Sequence, residues 1–109
     1  MERIGQVVRL RPEAVERYQE LHASVWPDVL RTIWACNIRN YSIFLWEPEL
    51  VLFAYFEYIG EDFDADQAKM AADPVTQEWW SITNPMQEPL PNRPEGSWWA
   101  PTREVFHTD

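Results

Sequence analysis

Ile38-Arg39-Asn40-Tyr41-Ser42-Ile43-Phe44-Leu45-Trp46, then Glu47-Pro48-Glu49, then Leu50-Val51-Leu52-Phe53-Ala54-Tyr55-Phe56-Glu57-Tyr58, is the stretch on which the fold turns. Both runs are rich in β-branched and aromatic residues, and a short charged turn with a Pro separates them. They read as a β-hairpin over 38–46 and 50–58. Neither run alternates cleanly between apolar and polar. An antiparallel pair that is apolar on both faces needs cover on both. Helices of the same chain can cover one face. A second copy of the protein is the simplest cover for the other, so the hairpin predicts a homodimer.

The flanks supply the helices. Residues 3–10 read as a strand, and Arg11-Pro12-Glu13 opens a helix, because a first-turn Pro gives up an N–H that has no partner anyway. Val15, Tyr18, Leu21, His22 and Val25 form its inward stripe. Pro27 disfavours helical geometry at Trp26, so the helix breaks there. A second helix over 27–36 then gains an apolar face from Val29, Leu30, Ile33 and Trp34. Beyond the hairpin, Asp62 to Ala72 is a helix with Phe63, Gln67, Met70 and Ala71 on one side. Asp73 caps, and Pro74 starts, a further short helix to about Ile82. Residues 84–101 carry Pro85, Pro89, Pro91, Pro94, Gly96 and Pro101 and read as a long irregular loop, a kind of loop that is often functional. Thr102–His107 reads as the last strand. The order is βαββαβ, the ferredoxin-like α+β arrangement, in one domain over 1–109 without internal repeats.

Charge and composition narrow the ligand. A net charge of −9 argues against a nucleic-acid surface, which needs Lys and Arg against phosphates, and against anionic membranes. Neutral ligands such as sugars fit. The lone Cys36 rules out an intramolecular disulfide and favours a reducing compartment. No signal-peptide pattern and no run of membrane-spanning length is present, so the expected location is the cytoplasm. Metal binding lacks a motif: His22 and His107 are far apart, and there is no HExxH or CxxC spacing. With three Gly there is no glycine-rich phosphate loop, and no nucleophile elbow supports a Ser-His-Asp triad.

Chemistry points to the first helix. Tyr18 and His22 are four apart, so they share a helix face one turn apart. Imidazole trades protons near neutral pH, and a phenol can orient a hydroxylated ligand as donor and acceptor. Each candidate also has an ordinary explanation. His22 can be a hydrogen-bonded helix histidine, Tyr18 a core aromatic and Trp26 packing under the break. Tyr41 sits mid-strand, where aromatics pack well. Trp79 and Trp80, adjacent on a helix, point about 100° apart. Trp98-Trp99 reads as an anchor for the long loop. Taken together, one His, two Tyr, several Trp and no cofactor motif suit a neutral polyhydroxylated ligand. Indole rings meet its apolar faces, and Tyr, His and Asn meet its hydroxyls.

Tyr18-x-x-x-His22-x-x-x-Trp26-Pro27, Asn40-Tyr41-Ser42-Ile43, Trp79-Trp80 and Glu104-Val105-Phe106-His107, in that order over nearly the whole chain, resemble the L-rhamnose mutarotase family. The resemblance implies a ferredoxin-like, dimeric α+β barrel-type domain. It implies a cofactor-free isomerase that interconverts the α and β anomers of L-rhamnose, or of a closely related 6-deoxy sugar. It implies that His22 is the catalytic proton donor and that Tyr18, Tyr41, Trp79 and Trp80 bind the sugar. The chain departs from the family in 84–101, which is longer and richer in Pro than the family form, and that leaves the sugar's identity open. Two other readings remain open on the residues alone. One is a cofactor-free monooxygenase-like enzyme of the same architecture, acting on an apolar substrate. The other is a sugar-binding module without turnover.

Overall fold

The hairpin forms, and burial along it shows which face the helices take. A computed structural model describes residues 1–109. The chain runs β1 (Glu2–Leu10), a 3-10 turn (Pro12–Ala14), α1 (Val15–Ala23), α2 (Pro27–Ala35), β2 (Ile38–Trp46), β3 (Val51–Tyr58), α3 (Phe63–Ala72) and α4 (Pro74–Thr83). A second 3-10 turn (Asn84–Met86), β4 (Gln87–Glu88) and β5 (Ala100–Pro101) follow. All pairings are antiparallel, in the order β2-β3-β1-β4, with β5 also on β1. This is the α+β, ferredoxin-like order expected from the sequence. In β3, Leu52, Ala54, Phe56 and Tyr58 are buried, while Phe53 on the other face is 44% exposed. The strand therefore does alternate, with apolar residues on both sides.

Two clusters form the layer between sheet and helices. Val8, Leu10 and Leu52 pack with Ala14 and Tyr18 at the α1 end. Cys36, Ile38, Phe56 and Met70 pack at the other end, flanked by Ile33, Phe63 and Trp80. On the opposite face Phe44 and Phe53 stack with ring centroids 5.2 Å apart, and Phe44 and Trp46 are 52% and 57% exposed.

The helix boundaries follow local rules. α1 ends at Ser24, Trp26 takes an extended backbone before Pro27, and α2 begins on that Pro. Asp62 caps α3 by accepting the Ala65 N–H at 3.0 Å. Asp73 caps α4 by accepting the Thr76 N–H at 2.9 Å and the Thr76 hydroxyl at 2.8 Å. Its carboxylate also accepts the Thr32 hydroxyl of α2 at 3.2 Å, which ties two helices together.

Two expectations need correction. The last strand is not Thr102–His107. The fourth lane of the sheet is two short pieces, Gln87–Glu88 and Ala100–Pro101, both inside the stretch read as irregular loop. Pro101 has no N–H to continue a ladder. The chain still follows β1, through the Thr102 N–H to the Gly5 carbonyl at 3.1 Å and the Arg3–Glu104 ion pair at 3.0 Å. Val105 and Phe106 beyond it are 84% and 79% exposed. The apolar face of α2 is also narrower than expected. Val29 is buried and Ile33 half-buried, but Leu30 and Trp34 are 53% and 64% exposed. Arg39 lies over the Trp34 ring, 3.3 Å from its centroid, so that indole has a cation for company instead of a core.

Candidate active site

Residues four apart on α1 meet as helix geometry requires. The rings of Tyr18 and His22 stack with centroids 4.0 Å apart. His22 lies in the last turn of α1, and its Nδ1 sits 2.8 Å from the Tyr18 main-chain carbonyl. A carbonyl only accepts, so Nδ1 carries the hydrogen and Nε2 of the neutral ring keeps a free lone pair. Burial lowers the His22 pKa below its ordinary 6.5, opposed by that hydrogen bond, so the resting ring is neutral. Trp79 from α4, 5% exposed, meets His22 edge-on at 5.4 Å and Trp26 at 5.1 Å. It is a wall behind the imidazole. Trp26 thus packs at the helix break, as its ordinary reading has it.

Tyr18 and His22 line a cleft of about 350 Å³ between α1 and the sheet, within the usual size range for a small ligand. Leu10, Ile43, Leu45 and Leu52 of the strands and Gln19 and Ala23 of α1 complete its lining. Burial pushes the Tyr18 phenol up to about 12. Desolvation also raises the Tyr41 phenol, with a smaller contribution from Tyr18, so both hydroxyls stay protonated in the same dry region. The Tyr41 residue as a whole is 38% exposed, so the shielding that raises its pKa is local to the phenol group.

A bulge aims Tyr41. Arg39 pairs with Glu57 and Ser42 with Tyr55, so Asn40 and Tyr41 together stand opposite Phe56. Asn40 takes φ 50°, a left-handed conformation that Asn tolerates better than most residues. Its amide donates to Glu57 at 2.7 Å. The extra residue changes the strand's parity. Ile38 faces the core before the bulge, and Ile43 and Leu45 face it after. Tyr41 shares their parity, and its ring sits 5.3 Å from that of Phe56.

His22 thus meets both Tyr18 and Trp79, while Tyr41, whose phenol feels that of Tyr18, lies outside the cleft lining. Trp80 is not in that contact group. It is half-buried and packs on the Cys36–Ile38–Phe56–Met70 cluster, of which Phe56 also touches Tyr41. Trp99 packs on the cluster around Tyr18, in keeping with an anchoring role. The sequence reading missed Gln87, which is buried and donates to the Tyr18 phenol at 3.3 Å. No motif marks it; a Gln beside a Pro-rich stretch carries no signal. No three His, Cys, Asp or Glu side chains gather into a metal-ligand set.

An antiparallel α+β sheet with helices on one face, and a His–Tyr pair in a cleft between them, defines a class: ferredoxin-like proteins of the α+β barrel type. Comparison with known proteins narrows it. A family model described as L-rhamnose mutarotase matches residues 3–108, and the chain belongs to that family. An L-rhamnose mutarotase of Listeria monocytogenes is 37% identical over 107 residues, 98% of each chain. One from Lactiplantibacillus plantarum is 32% identical over 109 residues, the full length of both. A crystal structure of L-rhamnose mutarotase from Formosa agariphila shares the fold over 100% of both chains, with a TM-score of 0.79 at 24% identity.

Proposed function

We propose that this chain interconverts the α and β anomers of L-rhamnose, or of a closely related 6-deoxy sugar, as a cofactor-free isomerase. One observation carries the reading: a neutral imidazole, oriented through Nδ1 and stacked on Tyr18, lines an apolar cleft with its proton-accepting nitrogen free. Family membership supports this over a monooxygenase-like enzyme or a binding module.

Mutarotation needs only proton movement. The anomeric hydroxyl loses a proton, the C1–O5 bond breaks, the ring oxygen gains a proton and C1 becomes an aldehyde. After rotation about C1–C2 the reverse steps close the ring on the other face. No electrons leave the sugar and no group is transferred. His22 is the residue that moves the proton. The resemblance makes it a donor; its depressed pKa supports a neutral ring that first accepts at Nε2. Both oxygens are bonded to C1, so one nitrogen can serve them in turn, taking the anomeric proton and giving it to O5. Tyr18 and Tyr41 hold sugar hydroxyls as protonated phenols. The strand residues Ile43, Leu45 and Leu52 meet the sugar's C–H surfaces, and Trp79 keeps the imidazole in place; Trp80 lies outside the cleft lining, and the family resemblance alone supports its place at the sugar.

The working form is a homodimer closed over Phe44, Trp46 and Phe53, whose exposure supports a second copy as cover. The lone free Cys36, the net charge of −9 and the lack of any helix long and apolar enough to cross a membrane support a place in the cytoplasm, apart from nucleic acids and membranes. Exchange NMR on L-rhamnose tests the function. The protein should speed α–β exchange well above buffer. Sugar contacts without faster exchange would make it a binder, and indifference to sugars would remove the reading altogether.

A further inference from the structure

A buried amide joins Tyr18 to the long Pro-rich segment. Gln87 is 4% exposed and stands opposite Leu10 in the sheet. The Trp98 indole N–H donates to its Oε1 at 2.7 Å. Its Nε2 donates to the Tyr18 phenol oxygen at 3.3 Å. The direction of this chain follows from chemistry. An indole N–H is a donor only, so the atom facing Trp98 is the amide oxygen. The NH2 then faces Tyr18, and the phenol oxygen must accept. Its own proton is left without a partner in the protein, on a residue that lines the cleft.

We propose that Trp98 and Gln87 are positioning residues that fix the Tyr18 hydroxyl as a donor into the cleft, so that the Pro-rich segment tunes sugar recognition without touching the sugar. The proposal rests on the reading above, that the cleft takes a sugar. Without the indole N–H the amide can turn over. Its oxygen then faces Tyr18 and takes the proton that a sugar oxygen needs. Contacts on both sides of Trp98 hold the segment in place. Trp99 packs against the cluster that contains Tyr18. Arg93 donates to the Ser97 carbonyl at 2.6 Å and to the Leu90 carbonyl at 3.1 Å, which closes the preceding turn on itself.

A double-mutant cycle tests the relay. Trp98→Phe keeps an aromatic ring and removes the N–H. It should raise the Kd for L-rhamnose about two- to tenfold, the range for one neutral hydrogen bond, with kcat within about twofold. In a Tyr18→Phe background the same change should do nothing. A merely structural Trp98 would weaken binding equally in both backgrounds, and that result overturns the proposal. A second readout needs no turnover. In ¹⁵N-labelled protein the Trp98 indole signal, identified by its loss in Trp98→Phe, should move upfield in Tyr18→Phe. The amide loses an acceptor and becomes a weaker acceptor itself. An indole signal unmoved by Tyr18→Phe also overturns the relay. If the parent protein does not speed anomer exchange, the function above fails, and the indole signal still decides the relay.

Discussion

His22 makes its hydrogen bond to its neighbour's backbone, while the neighbour's ring only stacks on it. The carbonyl of Tyr18 takes the Nδ1 hydrogen, and the proton of the Tyr18 phenol stays free for the ligand. Removing the imidazole should therefore remove a proton carrier and little else. His22→Ala should slow anomer exchange by roughly two to four orders of magnitude. The affinity for L-rhamnose, measured by calorimetry, should change little, because the lost interaction belongs mainly to the transition state. The pH profile follows from burial. The folded pKa lies below 6.5, and the neutral ring is the form that accepts the first proton. The exchange rate should rise with pH through that lowered value and stay flat above it. A rate that falls through the same value would mean that the protonated ring enters first. Tyr18 and His22 were legible in the sequence because one helical turn joins them. Gln87 was not, because its partner Tyr18 lies 69 positions away and only the finished sheet brings them together.

At the scale of elements, the hairpin, the helix break before Pro27 and the Asp73 cap were readable, because each rests on neighbours in sequence. The exposed side of α2 and the final strand were not. Glu104-Val105-Phe106-His107 has strand composition, yet the ladder stops at Pro101. Composition reports what a segment can pair with, and it does not register that Pro101, with no N–H to give, ends the ladder just before it. Leu52 shows the energetic side of the hairpin. It is 2% exposed, packs in the cluster with Tyr18 and also lines the cleft. Leu52→Ala should cost about 2–5 kcal/mol in urea unfolding, from lost transfer energy and the cavity left behind. Asp73 gives a pH-dependent counterpart. Its hydrogen bonds from Thr76, and then from Thr32, hold its carboxyl below the ordinary 3.8. A depressed carboxyl stabilises the fold fully above its unfolded value, and that contribution fades as pH falls through the folded value. Asp73→Asn should therefore be less stable than the parent near pH 6. The gap in unfolding midpoint should narrow as the solution is acidified below about pH 4, near the unfolded carboxyl value.

On the scale of the molecule, the sheet is covered on one side only by its own helices. The sequence anticipated this from apolar residues on both hairpin faces. It could not say which set the helices would take, since either parity offered enough apolar surface. The structure assigns Leu52 and Phe56 to the helices and leaves Phe44, Trp46 and Phe53 open. Phe53→Asp would set a charge in the middle of that face. Sedimentation should find a dimer for the parent at micromolar concentration and a monomer for the variant. A parent that sediments as a monomer would remove the dimer altogether. β2 is the outermost lane of the sheet, with a neighbour on one side only. One face of that lane, through Ile43 and Leu45, is the floor of the cleft. Its other face, through Phe44 and Trp46, is where the second copy would press. Dilution that separates the copies would leave the floor braced from one side. Turnover per chain should then fall before any unfolding begins, and recover on reconcentration. For a cell, the amount of this protein made would set how well each molecule works as well as how many there are.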